Sequence, residues 1–356
     1  MLTDLQNRTP ESVTDSPANQ PANNGDLAAE FQALTQGAGV YSLADRAKIV
    51  LTGEDRSRWL NGVVTNNVRD LAPGQGLYAF LLNPQGKIQG DFCAFNRGAD
   101  IVLDIEGSQL AKLLPIFDHY IIMDDVLVTN ASDKLTAVGI QGPKSHEVLQ
   151  SVGIGVPELR PLQMVGAKWQ DHHLALVRSE SWKNDAFEMW IDPEHSAELI
   201  HALLQAGASD VGKDALNLYR IAAGIPAYGN DIRERDLPQE TDQERALHYA
   251  KGCYVGQEIV ERIRSRGQVH RSFSGFQLTA PCPVGSKITA EIGGATKEVG
   301  EITSVASMPV GSGRVLALGY LRREALNQPL TANGTPVRVQ SLPFEEVLQG
   351  NLNSVP

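Results

Sequence analysis

Cysteine is scarce in this chain of 356 residues: only Cys93, Cys253 and Cys282 occur, and no two of them form a Cys-x-x-Cys pair. A sparse and odd set argues against a disulfide framework and favours a reducing compartment. It also argues against a resident iron–sulfur cluster, because such clusters are held by four thiolates. We therefore expect no permanent cluster built from the cysteines of this chain.

Long apolar runs and an excess of basic charge are also missing. No run reaches the ~18 residues that a membrane-spanning helix needs, and the net charge is −11. A strongly acidic chain is repelled by nucleic acids and by anionic membranes. We expect neither of them as a direct partner.

The first 26 residues lack the features of a targeting segment. They have no basic, apolar start as a secretory signal does, and they carry four acidic residues against the single Arg8. A mitochondrial presequence has the opposite composition. With three prolines and four asparagines, the segment is predicted to be a disordered tail on a cytoplasmic protein.

The length exceeds the ~250–300 residues at which a single core stops growing, so several domains are expected. Strand and helix patterns mix from residue 40 to residue 225, which is typical of the α+β class. From Ser272 onward, short strands flank the turn signal Gly293-Gly294, which predicts an all-β barrel or sandwich. The predicted organisation is a tail at 1–26, α+β domains at 27–132 and 133–271, a β-barrel domain at 272–347 and a loose end at 348–356.

Hydrophobic periodicity predicts individual elements as well. Three strands at Leu77–Leu82, Lys87–Phe95 and Ile101–Ile105 form a meander. Further strands are predicted at 48–52, 126–130, 135–140, 174–178, 186–191, 287–292, 299–305, 315–321 and 336–339. Helices are predicted at 27–34, 54–63, 108–119, 193–206 and 214–223, with another that starts at Pro143.

The segment Lys251–Glu258, KGCYVGQE, carries the most chemical information. Gly252 and Gly256 permit a tight backbone that a ligand or another segment can approach closely. The apolar spacing that follows predicts a helix that opens at Gly256 or Gln257. This segment is therefore expected to be a glycine-bounded turn before a helix.

Positive charge is concentrated in the same region. Five Lys or Arg against two Glu give residues 251–271 a charge of +3 within an acidic chain, which suits an anionic ligand or partner. Lys251 and a nearby helix start would favour the thiolate form of Cys253 and so its reactivity. The plain alternative is a buried small thiol beside a solvated, charged helix.

The octapeptide resembles the signature of the YgfZ family, Lys-Gly-Cys-Tyr-x-Gly-Gln-Glu, at every fixed position. Weaker similarity runs from about Leu43 into the β domain. The resemblance places the chain among the GcvT-like, folate-binding aminomethyltransferase proteins, which share their fold with the T-protein of the glycine cleavage system. Flanking stretches that fit the same family are AGIP at 223–226, Tyr228-Gly229, LPQE at 237–240, and Arg266-Gly267 through His270-Arg271.

This resemblance implies a fold and a function. The fold is a three-domain ring, two α+β domains and one all-β domain, with tetrahydrofolate or a derivative as cofactor. The implied function is that of an accessory factor for iron–sulfur cluster assembly or repair, which indirectly supports tRNA modification and has assembly proteins or cluster enzymes as partners. In this hypothesis Cys253 acts on the partner or cluster, and Lys251, Tyr254, Gln257 and Glu258 arrange it.

The resemblance also implies cofactor-binding residues. A carboxylate accepts the paired N–H groups of a pterin edge, and this position corresponds to Glu188. An arginine suits the anionic glutamate tail of a folate, and this position corresponds to Arg220, while Tyr78, Asn66 and Asp91 complete the set. The structural alternatives are that Tyr78 is a core residue, that Glu188 lies on a solvated strand face and that Arg220 extends from a helix towards solvent. At two positions where some family members have channel tryptophans, this chain has Arg46 and Leu216.

One departure from the T-protein bears on catalysis. The T-protein has two adjacent aspartates, and the first, which acts beside the folate nitrogen, corresponds to Gly90, so that only Asp91 remains. Glycine offers no group for proton transfer. A folate-dependent aminomethyltransferase is therefore the second hypothesis, and a non-catalytic interaction module that lost its ligand is the third.

The pair His172-His173 is the remaining cluster of metal-binding side chains. Adjacent residues on a strand point to opposite faces of the sheet. We therefore expect no shared metal site at this pair, and no metal ligand is assigned elsewhere.

Overall fold

The computed structural model describes residues 26–181, 185–309 and 313–349. Its helices are α1 Leu27–Gln36, α2 Arg56–Val63, α3 Leu110–His119, α4 Ser145–Ser151, α5 Pro193–Gln205, α6 Lys213–Ala222, α7 Gln257–Arg266 and α8 Glu345–Leu348. The strands are β1 Gly39–Ser42, β2 Arg46–Thr52, β3 Gly76–Leu82, β4 Ile88–Asn96, β5 Ile101–Glu106, β6 Leu127–Asn130, β7 Thr136–Gln141, β8 Met164–Trp169, β9 His172–Arg178, β10 Ala186–Ile191, β11 Ser209–Asp210, β12 Arg271–Leu278, β13 Lys287–Ile292, β14 Ala295–Ser307, β15 Val315–Arg322, β16 Leu330–Ala332 and β17 Thr335–Gln340.

The first sheet has five strands in the order β3-β4-β5-β2-β6 and contains the predicted meander. Side chains alternate between its two faces. On one face Leu81, Phe92 and Leu103 pack with Trp59 of α2 and Phe117 of α3 in one apolar core. The opposite face is left to line a cavity.

The second sheet has six strands in the order β11-β1-β7-β10-β9-β8. Residues of α4 and α5, such as Leu149 and Leu199, cover one face of this sheet. They pack there against Ile140 of β7 and Met189 of β10 in one apolar core. The first strand of the chain, β1, pairs with β7 of this sheet rather than with β2. The expected first domain at 27–132 therefore needs a correction, because α1 and β1 belong structurally to the second α+β unit.

The C-terminal domain is a closed barrel of six strands in the order β12-β15-β14-β13-β16-β17. Gly293 and Gly294 both have positive φ, 66° and 77°, so they form the tight turn between β13 and β14 that the sequence predicts. The α+β fold class with a C-terminal all-β barrel is confirmed.

A buried polar network joins the second α+β unit to the barrel. The carboxylate of Asp231, which is fully buried, accepts hydrogen bonds from Arg220 of α6 (2.8 Å) and from Ser304 of the barrel (2.8 Å). Tyr320 of the barrel donates to the Asp231 carbonyl (2.8 Å). A buried carboxylate is stable only when it is paired and hydrogen-bonded, so this network fixes the relative position of the two units.

The predicted tails have different outcomes. Residues 1–25 lie outside the described part of the chain, whereas Asp26 caps α1 by accepting from the backbone N–H groups of Ala28 and Ala29. At the other end Leu348 is buried in α8 rather than loose, and residues 350–356 lie outside the described part. The helix predicted from Pro143 begins at Ser145. Among the residues described, no helix is long and apolar enough to cross a membrane.

Candidate functional site

A cavity of about 320 Å³ lies between the two sheets. This is within the range of about 300–1,000 Å³ that is usual for small-molecule sites. Its wall combines tyrosines and apolar side chains with an unusual density of charge. The charged residues that line it are Arg46, Asp91, Asp104, Glu106, Glu180, Glu188, Arg220 and Arg245.

Strand register brings one row of the first sheet to this cavity. Tyr78 of β3 is opposite Cys93 of β4, and Cys93 is opposite Asp104 of β5. Asp104 in turn is opposite Lys48 of β2. Because residues opposite one another on neighbouring strands share a face, a phenol, a thiol, a carboxylate and an ammonium follow one another across the sheet.

Asp91 is the acid of this wall. Its carboxylate accepts hydrogen bonds from the hydroxyl of Tyr78 (2.6 Å) and from the amide of Gln109 (2.9 Å). Burial raises the pKa of Asp91, and these hydrogen bonds only partly offset the effect. Burial and the nearby Asp91 charge also raise the pKa of Tyr78 well above its usual value. The pair can therefore hold a proton inside the cavity.

Gly90 faces away from the cavity. A Cβ atom at this position would lie 2.7 Å from Leu113, which belongs to the apolar core on the covered side of the sheet, and 2.9 Å from the Oε1 atom of Gln109. Strand alternation thus directs residue 91 to the cavity and residue 90 to the core. The expectation that glycine at position 90 removes the cavity acid needs a correction, because the acid that faces the cavity is Asp91.

An ion cluster supports the floor of the site. Arg46 binds Asp104 through Nε at 3.0 and 2.9 Å, and Lys48 also pairs with this carboxylate. Burial acts to raise the pKa of Asp104, but the Arg46 and Lys48 cations outweigh it and hold the pKa below its usual range. Burial raises the pKa of the neighbouring Cys93 thiol to about 12, so this cysteine is a neutral wall residue.

The second sheet presents Glu188. In the register, Tyr41 of β1 and Glu188 of β10 both lie opposite Gly139 of β7. A Cβ at Gly139 would lie 2.1 Å from the Tyr41 ring, so glycine allows that ring to lie across the strand beside Glu188. The Glu188 carboxylate accepts from Ser179 (3.0 Å) and from the Trp190 indole (2.8 Å). A carboxylate has about four acceptor positions, so two remain for a ligand.

Gln141 ends β7 with a polar group in the cavity wall. The residue is 6% exposed, and its Nε2 amide has no hydrogen-bond partner among the described residues. An unpaired buried donor costs about 1–3 kcal/mol. This amide is therefore a donor that a ligand acceptor would satisfy.

Two arginines of the wall differ in how exposed they are and in how many hydrogen bonds their guanidinium groups already donate. Arg220 donates to Asp231, to Ser304 and to the Ile225 carbonyl, so it serves the junction with the barrel while lining the cavity. Arg245 lies over the Tyr78 ring, 4.3 Å from its centroid. It pairs with Glu180 and its side chain is 41% exposed, which leaves it the more accessible cation for an anionic group.

Asn66 does not line the cavity in the described structure. Its amide donates to the backbone carbonyls of Tyr78 and Arg245, both at 2.8 Å, so it lies behind these two residues and positions them. Of the two positions matched to channel tryptophans, Arg46 lines the cavity. Leu216 packs in the core that α1, α6 and the barrel share.

The KGCYVGQE segment lies outside the cavity wall. Cys253 is exposed, and none of the cavity-lining residues described comes from 251–258. Lys251 is buried, and its ammonium donates to the backbone carbonyls of Asn61 (2.6 Å), Val64 (2.7 Å) and Asn66 (2.7 Å). Burial lowers the pKa of Lys251 to about 7, while the three carbonyl acceptors oppose that shift by favouring the charged form.

The rest of the motif builds the turn into α7. Gly256 has a φ of 80° at the helix N-cap, and a Cβ there would lie 2.6 Å from the Asn83 carbonyl. Gln257 opens the helix as predicted and accepts from the Tyr254 N–H (3.2 Å). Tyr254 is buried, whereas Glu258 is exposed in the first turn. Tyr254 and Gln257 thus hold the shape of the loop that presents Cys253.

Sequence reasoning missed several wall residues, among them Tyr41, Gln141 and Arg245. Tyr41 and Arg245 have no local signal, because a short strand and a 3₁₀ turn bring them in from other parts of the fold. Gln141 has one: it is a polar residue at the end of an apolar strand, directly before Gly142, whose φ is 125°. Such a strand end often carries functional groups.

Comparison with known proteins identifies two domains. Residues 12–251 match the family of the GCVT N-terminal domain, and residues 272–344 match the CAF17 C-terminal beta-barrel domain. The chain is 26% identical to an aminomethyltransferase of Rubrobacter xylanophilus, over 91% of this chain and 87% of that protein. It is 28% identical to an aminomethyltransferase of Rippkaea orientalis, over 90% and 86% of the two chains.

A solved structure has the same fold. The glycine cleavage system aminomethyltransferase T from Bartonella henselae superposes with a TM-score of 0.79 at 21% sequence identity, over 89% of each chain. At this identity the likeness concerns the fold alone. The shared fold comprises the two α+β units and the closed six-stranded barrel.

Proposed function

This chain belongs to the family of the GCVT N-terminal domain and has a CAF17 C-terminal barrel, and on that premise we propose that it binds tetrahydrofolate or a derivative in the cavity between its sheets. One observation carries the proposal: the amide of Gln141, which has no hydrogen-bond partner among the described residues, and the carboxylate of Glu188 line the same cavity. A pterin edge presents N–H donors beside a carbonyl acceptor, so it offers a partner to each group.

The other wall residues suit the rest of a folate. Tyr41 and Tyr78 provide ring faces for an aromatic system. The glutamate tail is anionic, and Arg245 is the most accessible cation of the wall. Both wall arginines are paired with a carboxylate, Arg245 with Glu180 and Arg220 with the buried Asp231. Arg220 is the second candidate for this role because its side chain is less exposed than that of Arg245.

Calorimetric titration of the purified protein with tetrahydrofolate tests this binding. Glu188→Gln removes the charged acceptor and should weaken binding at least about tenfold, because hydrogen bonds to charged groups contribute about 1.5–3 kcal/mol. Glu298→Gln, at an exposed position of the barrel, is the matched control and should bind as the wild type does. If the wild type does not bind at all, the third hypothesis, a non-catalytic interaction module, replaces this one.

We further propose that the folate-bound protein supports iron–sulfur cluster assembly or repair and, through cluster enzymes, tRNA modification. The exposed position of Cys253 supports this role. A thiol outside the cavity meets a protein partner or its cluster rather than the folate. The three cysteines of the described chain are all unpaired, which suits transient rather than permanent ligation.

Complementation of a deletion strain tests the role of Cys253. Cys253→Ala should fold normally and fail to restore the activity of a [4Fe–4S] enzyme, whereas Cys282→Ala, in the buried core of the barrel, should restore it. Full rescue by Cys253→Ala would reject a function for this thiol.

Folate-dependent aminomethyl transfer is a second candidate function, and Asp91 favours it. Its carboxyl faces the cavity and burial raises its pKa, which suits a general acid or base. If this function is correct, purified protein transfers a one-carbon unit from an aminomethylated carrier to tetrahydrofolate, and Asp91→Asn loses ~10²-fold or more of the rate. An inactive wild type that still binds folate would leave the accessory role.

A further inference from the structure

Two histidines and a glutamate meet on the outer side of the second sheet. His172 is the first residue of β9, directly after the tight turn at Gln170-Asp171, in which Gln170 has a φ of 53°. His195 and Glu198 lie on the first turns of α5. One ligand atom from each of the three side chains lies within 4.8 Å of the other two.

The backbone around this cluster is well fixed. Asp192 caps α5 through the Glu194 N–H, and Pro193 occupies the start of the helix. Because His195 and Glu198 are three residues apart, they share one face of the helix. The buried Trp169 ring lies 6.0 Å from the His172 ring, so the strand side of the cluster rests on the core.

The imidazoles are already brought together. The rings of His172 and His195 have centroids 3.7 Å apart with an angle of 32° between their planes. Imidazole nitrogen and carboxylate oxygen are the ligands that Zn²⁺ and its neighbours in the transition series prefer. Zinc–ligand bonds of about 2.0–2.2 Å in a tetrahedral site place the ligand atoms roughly 3.3 Å apart. The three ligand atoms here lie within 4.8 Å of one another, so small side-chain rotations would bring them to the distances of a zinc site.

Glu198 has the freedom for such a rotation. It is exposed, and its contact with the Gln170 amide, at 3.5 Å, is at the limit of a hydrogen bond. The two histidines are half-buried, which leaves the fourth coordination position open to solvent. None of the three residues is among those that line the cavity described above.

We propose that His172, His195 and Glu198 form a binding site for one divalent transition-metal ion of the zinc class, separate from the folate cavity. The ion links the hairpin of β8 and β9 to α5. An unfolded chain has no preformed site, so bound metal stabilises the native state by mass action.

The chain provides matched controls for this site. His173 is the next residue along β9 and is exposed on the other face of the strand, and His201 is exposed further along α5. Neither is among the three side chains whose ligand atoms meet. Glu198→Gln is the variant for which folding is the least at risk, because its side chain is exposed.

Calorimetric titration of metal-free, full-length protein with Zn²⁺ tests the proposal. The wild type should bind one equivalent, and His172→Ala, His195→Ala and Glu198→Gln should each weaken that binding at least about tenfold, since even loss of groups behind the ligands costs 10–100-fold. His173→Ala and His201→Ala should bind as the wild type does. Zn²⁺ should also raise the thermal midpoint of the wild type and of these controls, but not that of His195→Ala.

Titration with Co²⁺ separates this site from the cysteines. The visible absorption of the bound ion should appear without a thiolate charge-transfer band, and it should persist in Cys253→Ala. No saturable binding by the wild type would overturn the proposal. So would binding that His195→Ala and Glu198→Gln leave unchanged.

Discussion

Lys251 provides the sharpest test of how the KGCYVGQE loop is held. Its ammonium donates to the carbonyls of Asn61, Val64 and Asn66 at 2.6–2.7 Å. These carbonyls lie at and just beyond the C-terminus of α2, where a helix leaves its last acceptors unpaired and favours positive charge. Lys251→Met keeps much of the side-chain length and removes all three donors.

The expected loss of unfolding free energy is about 3 kcal/mol. Each hydrogen bond to a charged group contributes about 1.5–3 kcal/mol, and a buried acceptor left unpaired costs about 1–3 kcal/mol. Three such bonds would suggest a larger sum. Two of the three bonds are only partly buried, so water can hydrogen-bond to those carbonyls in the variant and reduce the loss of stability. The variant also gains stability because methionine does not require the burial of a charged ammonium.

Urea unfolding followed by tryptophan fluorescence measures the change, because Trp59 lies in α2 itself. Lys87→Met is the matched control: Lys87 donates to one exposed carbonyl, that of Arg235, at 2.8 Å, and its loss should cost less than about 1 kcal/mol. A Lys251→Met protein as stable as this control would refute the anchoring argument.

Two further predictions follow from the cavity. Gln141→Leu should leave the free energy of unfolding unchanged or raise it by up to ~1 kcal/mol, because it removes a buried donor that has no partner among the described residues. It should also weaken tetrahydrofolate binding about tenfold in calorimetry, and an unchanged affinity would contradict the proposed contact. Asp104, whose folded pKa is lowered by Arg46 and Lys48, contributes stability above its unfolded pKa of about 3.9 and loses it as pH falls through the lower folded value. Asp104→Asn should therefore lower the free energy of unfolding by about 3 kcal/mol at pH 7. Urea unfolding repeated at lower pH, towards pH 3, should show a progressively smaller difference between the variant and the wild type. A difference that does not shrink would contradict the lowered pKa of Asp104.

Local patterns predicted most elements of the first sheet. The meander of β3, β4 and β5 follows from apolar runs separated by Asn-Pro-Gln-Gly and Asn-Arg-Gly-Ala turns. The strands that the sequence analysis did not identify are β1, β8, β11, β12 and β16. β1, β11 and β16 have two to four residues each, and β8 has exposed and half-exposed residues along most of its length, so the hydrophobic periodicity of these four strands is weak. Their partners, rather than their own residues, make them strands. This reason does not apply to β12, which has eight residues.

The candidate site divides in the same way. The motif Lys251–Glu258 and the positions of Tyr78, Asp91, Glu188 and Arg220 were identified from the sequence, and the last four do line one cavity. Asn66 lies behind the wall instead. The cavity residues Tyr41, Gln141 and Arg245 became visible only when the fold brought together segments that are distant in sequence.

The sequence by itself determined most of the alternating strands, the class of the fold, the barrel turn at Gly293-Gly294 and the start of α7 to within Gly256 or Gln257, because local patterns depend on neighbours a few residues away. Only the tertiary structure decided that residue 91 faces the cavity while residue 90 faces the core, since alternation fixes that two neighbours diverge but not what covers each face. It also decided that Lys251 reaches carbonyls up to 190 positions away and that His172 meets His195 rather than His173. Such contacts depend on how separate elements pack, and packing is a property of the whole chain.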